Sequence, residues 1–270
     1  MFSKRKSAYV GLVIILGFIV IALFAPWIAP HDYRVQDRSS IMESPSLEYP
    51  LGTDRVGRCL LSRIIYGARI SLTVGLVSVG IGASLGLLIG SISGYMGGWV
   101  DRVIMGFVDI VWSFPTMLLA IALTAILQPG LQSVIIALGL VSWPEYARII
   151  RSQFLAVKQK EFVEAARSVG ASDFRIIKNH LLPNSIAPII VVGTLGMATA
   201  VLVEATFSYL GLGAQPPEPS WGSILSMGKD FIYHQPLMSI APGLAIMIMV
   251  LGFNLFGDAI RDIMDPRLKN

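Results

Sequence analysis

Runs without a charged residue alternate with short charged segments along this chain, and the runs have membrane-crossing length. Ser7 to Pro30, Ile70 to Val100, Leu181 to Val203 and Gln235 to Gly257 each hold enough consecutive apolar residues to cross a hydrocarbon core as one helix. Ile110 to Pro144 is long enough for two, with Pro129-Gly130 as the turn between them. The pattern predicts an all-α chain with six transmembrane helices.

Between the fourth and fifth of these spans lies a charged, helix-forming island, Glu161 to Pro188, which belongs in water. Its first part is rich in good helix formers around Ala165 and Ala166, and Gly170 ends that helix without steric cost. Ser172 is placed to cap a second helix with Asp173 at its positive end; Phe174, Ile176, Ile177 and Leu181 give it an apolar side, and Pro183 is expected to stop it. The expected product is an amphipathic knuckle on a membrane surface, with Arg167, Arg175 and Lys178 available to an acidic neighbour.

Within the second span, Gly82, Gly86, Gly90 and Gly94 recur every fourth residue, on one helix face. Small residues so placed let a second backbone approach, which predicts tight helix packing rather than a solute path. Pro115 and the pair Gly193 and Gly196 predict bends or close contacts in the third and fifth helices. Asp109, Glu145 and Glu204 fall near predicted span ends and are expected to be structural.

Hydrophobic residues make up 54% of the chain and charged residues 14%, well away from ordinary soluble domains. With Cys59 the sole cysteine, no internal disulfide forms and helix packing must hold the fold. Lys4-Arg5-Lys6 precedes an apolar stretch longer than the core of a cleaved signal, so a retained anchor is expected. Segments assigned inside carry fourteen Lys and Arg: Lys4, Arg5, Lys6, Arg102, seven from Arg148 to Lys178, then Arg261, Arg267 and Lys269. Segments assigned outside carry seven, which turns the island and both termini toward the cytoplasm.

No catalytic cluster emerges. Gly222 to Lys229 has five residues between its glycines where a phosphate loop has four, and Asp230 follows the lysine in place of Ser or Thr. His31, His180 and His234 are too scattered for a metal site, H-E-x-x-H is missing, and no basic motif supports a nucleic-acid role. Energy for any transport must therefore come from a partner.

The island resembles the EAA loop of ABC-importer permeases: E-A-A, three residues, G, nine residues, then I-x-L-P. Glu164, Ala165, Ala166, Gly170, Leu182 and Pro183 fit this pattern. His180 stands in place of the isoleucine, and His180-Leu181-Leu182-Pro183-Asn184 is similar to the dipeptide/oligopeptide/nickel group. The likeness continues through Leu51 to Asp54, Tyr66 to Leu72, Tyr146 to Arg148, Tyr209 to Gly213, Ser220 to Gly222 and Phe253 to Leu255, and it ends in Asp265-Pro266. Cys59 departs from it, replacing a usual acidic residue.

The resemblance implies a type I importer permease in the cell inner membrane. An anchor and extracytoplasmic segment would span 1–69 and a five-helix core 70–270, with the ATPase-coupling loop at about 152–186. It implies a homologous second permease, two ATPase subunits that bind ATP and Mg²⁺, and an extracytoplasmic binding protein delivering peptides or a small solute such as nickel. The chain itself would need no cofactor. A self-contained secondary transporter is the alternative, disfavoured by the lack of an evident repeat and by the charge-free cores of spans one, two and six.

Overall fold

The computed structural model describes residues 2–264, and the side chains of residues 2–5 lie outside that description. Asp265-Pro266, Arg267 and Lys269, used above in the terminal pattern and the charge count, also lie outside it. The helices are α1 (Phe2–Ile28), α2 (Leu60–Met96), α3 (Gly98–Ser113), α4 (Thr116–Ile126), α5 (Leu131–Lys158), α6 (Glu161–Ser168), α7 (Asp173–Ile176), α8 (Leu182–Tyr209), α9 (Trp221–Gly228) and α10 (Leu237–Met264). Among the described residues there is no strand, only an isolated bridge between Thr53 and Cys59.

Five helical segments are long and apolar enough to cross a membrane, and α3 with α4, bent by 86° where they meet, makes a sixth when the pair is counted as one broken span. The break falls at Phe114, which is extended, and Pro115, whose ring withholds a backbone donor. Two spans are longer than the charge-free runs suggest. Helix α2 begins at Leu60, so the expected division after Arg69 falls inside a continuous helix, and α3 begins at Gly98 rather than near Ile110. The reason is pairing. Buried Arg63 lies 3.7 Å from Asp54, Arg151 Nη2 donates to Asp101 Oδ2 at 2.6 Å, and Arg148 pairs with Asp109, so these charges fit in helices that a run-length rule would cut short.

Helix α2 lies along α5 through the glycine stripe, all four members of which are buried. A Cβ on Gly86 would sit 2.8 Å from Ala147 N and Trp143 O, and one on Gly94 would sit 2.7 Å from Phe154 Cβ. The two backbones therefore meet over about two turns, from Gly86 to Gly94, while Gly82 faces the Ser142 and Tyr146 side chains. Gly196 meets the Tyr146 hydroxyl in the same region, at 2.8 Å from its would-be Cβ. Helix α1 closes on α10 at Gly11, where a Cβ would come within 2.7 Å of Phe256 N.

The segment before α2 is held by buried polar contacts. Asp54 accepts from Val56 N at 2.9 Å and Arg58 N at 3.0 Å through one oxygen, and from Arg58 Nε at 2.7 Å through the other. Gln235, just ahead of α10, donates to Met42 O at 2.7 Å, and Trp221 Nε1 donates to Ile64 O at 2.9 Å. Cys59, at the cap position of α2, is 2% exposed.

Glu204, expected near a span end and structural, is fully buried. Its Oε1 accepts from Ser208 at 2.7 Å and from Ser220 at 2.8 Å, and Ser71 of α2 faces the same group. Ser220 also caps α9, so one carboxylate ties α8 to the start of α9.

A candidate coupling site on the charged island

Helix α6 ends in a Schellman turn. Gly170 has φ of +79°, its N–H donates to Arg167 O at 2.9 Å, and Ala171 N donates to Ala166 O at 3.0 Å. Only glycine takes that backbone without strain, and Ala166 and Ala171 supply the apolar contact that accompanies such a turn. Ser172 holds the cap position of α7, but its side chain makes no capping bond. Asp173 does have a partner, accepting a hydrogen bond from Tyr95 at the end of α2.

Pro183 does not stop the second helix. Residues Ile177–Leu181 form a π-helical turn, and the chain runs on unbroken from Asp173 to Tyr209. The wider turn, in which Leu182 N–H reaches Ile177 O, gives the proline ring room that an α-turn would deny it, and the first turn of α8 tolerates the missing donor.

The island is seated on the membrane helices by a compact apolar contact. Val163, Ile176 and Leu181 are fully buried against Ile150, Phe154 and Val157 of α5 and Ile189 of α8, with Leu182 half-buried beside them. Phe174 does not join this side, contrary to the expectation from spacing; it points away and is 74% exposed. With Val169, 84% exposed, and Phe162, it leaves three large apolar side chains of the knuckle exposed. Among the residues of the EAA-like pattern, Glu164, Ala165, Gly170 and Pro183 are exposed, and Ala166 and His180 are half-buried. The His180 ring lies 6.1 Å from that of Phe162, and His180 O accepts from Asn184 at 2.7 Å.

The island thus presents an exposed carboxylate, exposed cations and exposed apolar side chains on a turn seated against α5 and α8. Tyr95 and Lys158, whose Nζ donates to Tyr95 O at 2.5 Å, brace its base from α2 and α5. Sequence spacing gave no sign of these braces, since they pair residues far apart in the chain.

A family model described as "Binding-protein-dependent transport system inner membrane component" matches residues 86–270. The chain belongs to this family. Its first 45 residues match a second model, the N-terminal TM domain of oligopeptide transport permease C. The dipeptide transport system permease protein DppC of Alkalihalophilus pseudofirmus is 46% identical over 99% of this chain and 88% of its own length. The glutathione transport system permease protein GsiD of Escherichia coli O157:H7 is 42% identical over 99% and 89%. Among solved structures, the inward-facing MetNI methionine ABC transporter aligns with a TM-score of 0.63 at 21% identity, over 76% of this chain and 98% of the other. An amino acid ABC transporter aligns with a TM-score of 0.55 at 18% identity, over 73% and 91%. These likenesses establish the type I importer fold. The chain is a multi-pass inner-membrane permease of an ABC importer, a transport component that works with ATPase, permease and binding-protein partners.

Proposed function

We propose that this permease carries short peptides, paired with a homologous second permease on two ATPase subunits that bind ATP and Mg²⁺, and that both its termini face the cytoplasm. The names of its relatives, one a dipeptide and one a glutathione permease, support a peptide over nickel. A binding protein delivers the solute on the outer side. Glu164, Ala165, Ala166, Gly170, His180, Leu182 and Pro183 form the coupling element, and closure of the ATPases moves it together with α8, switching the path between its two sides. A self-contained secondary transporter is not needed once the family is assigned.

The observation that carries the coupling role is the exposure of Phe162, Val169 and Phe174, together with the Glu164 carboxylate, on a segment whose turn only glycine makes cheaply. Gly170→Val leaves the surroundings unclashed, because a Cβ there meets nothing within 4 Å, and acts through the backbone alone at about 1–2 kcal/mol. Gly170→Val and Glu164→Lys are expected to lower ATPase co-purification and solute-stimulated hydrolysis in reconstituted complexes. Full stimulation and wild-type uptake in both variants would reduce the island to a connecting loop.

A further inference from the structure

A cavity of about 300 Å³ opens between α2, α3, α4, α5 and α8. It is at the lower end of the size range of small-molecule sites, enough for one end of a peptide. Trp112 and Tyr146 form aromatic walls, Ser78, Ser142 and Thr199 offer hydroxyls, and most of the remaining lining is apolar. One carboxylate enters it, that of Glu145.

Glu145 stands midway along α5, about 20 Å from the helix start at 1.5 Å per residue. Its position was expected at a span end, where water would solvate it; the helix instead continues to Lys158. The ionisable neighbours on the α3 and α5 seam are matched. Asp101 holds Arg151, and Asp109 holds Arg148, whose guanidinium also lies 3.8 Å from the centre of the Trp112 ring. Glu145 is exposed into the cavity and, among the described residues, makes no hydrogen bond or ion pair. A carboxylate within a span needs a cation or a wet path, and here its neighbours supply no cation.

We propose that Glu145 receives the ammonium end of the transported peptide, with the hydroxyls taking its first polar groups and the apolar wall its first side chain. The chemistry is an amino terminus: a compact ammonium with three donors, drawn to a carboxylate in surroundings drier than bulk water. Arg148, already committed to Asp109, is not free to cancel the site. The proposal rests on the importer assignment and adds to it the part of the solute that this subunit reads.

The test uses the assembled permease–ATPase complex in nanodiscs without the binding protein, probed with alanyl-alanine and its N-acetyl derivative. Wild type is expected to bind the free amine at least about tenfold more tightly, a ratio that Glu145→Asp retains and Glu145→Gln loses, while ATPase co-purification stays intact. No preference in wild type, or a preference retained by Glu145→Gln, overturns the proposal. So does disassembly of both Glu145 variants, which would assign the carboxylate to a cation of the second permease. Failure of the ATPases to co-purify with wild type would instead strike the importer assignment itself.

Discussion

Gly86→Ala places one methyl where two helix backbones meet. The added Cβ would lie 2.8 Å from both Ala147 N and Trp143 O, against the 3.4 Å or more of ordinary contact, so α2 and α5 must part by about 0.6 Å or more. Neither atom is the end of a flexible side chain, so rotamer changes cannot absorb the overlap. Overpacking of this kind costs about 1–3 kcal/mol. The matched control is Gly80→Ala in the same helix, where nothing lies within 4 Å of the new methyl and the helix gains about 1 kcal/mol from alanine's propensity. Alanine's propensity gain applies at both positions of α2 and cancels, so the two variants should differ by the overpacking cost, about 1–3 kcal/mol, with Gly86→Ala the less stable, or roughly 2–10 °C in thermal unfolding of the purified complex. Equal melting temperatures, or a more stable Gly86→Ala, would refute the close backbone contact between α2 and α5.

Glu204→Ala should destabilise the complex by about 2–4 kcal/mol, because it strands the Ser208 and Ser220 hydroxyls in a buried site, and Glu204→Gln should cost less because it keeps an acceptor; thermal melts ranking Gln below Ala would count against this account. Cys59→Ser should leave folding and uptake unchanged, since serine is close in size, suits a helix cap, and the thiol makes no capping bond to lose. In that background, a membrane-impermeant thiol reagent applied to intact cells should label single cysteines at Ser40 and Pro217 but not at Gly170. Labelling at Gly170 would invert the orientation.

Hydrophobic patterning located every long helix, since a lipid solvent enforces apolar runs directly. It failed where charges were paired. Asp101 with Arg151 and Asp109 with Arg148 let α3 extend twelve residues ahead of Ile110, and Asp54 beside Arg63 let α2 begin before Ile70. The partners of α3 and α5, 39 and 50 positions apart, leave no mark in a local window. The Gly170 turn was legible because a Schellman end is local chemistry, whereas Pro183 misled because a π-turn, set by packing against α5, can house a proline mid-helix. Phe174 shows the same limit: helical spacing tells which residues share a face, and only the assembled helices tell which face is covered.

The unbroken run from Asp173 to Tyr209 makes the knuckle one end of a lever. Its 37 residues extend about 55 Å at 1.5 Å per residue, so a tilt of about 5° about one end carries the other end roughly 5 Å. A flexible hinge at Pro183 would have absorbed such a push as slack; a continuous rod delivers it. The rod's far end is tied by Glu204 to the cap of α9, so under the coupling role proposed above a displacement of the knuckle has a mechanical outlet at the other end of the rod. The π-turn is a point along it where the winding is already loosened, and therefore where the lever has room to twist without breaking.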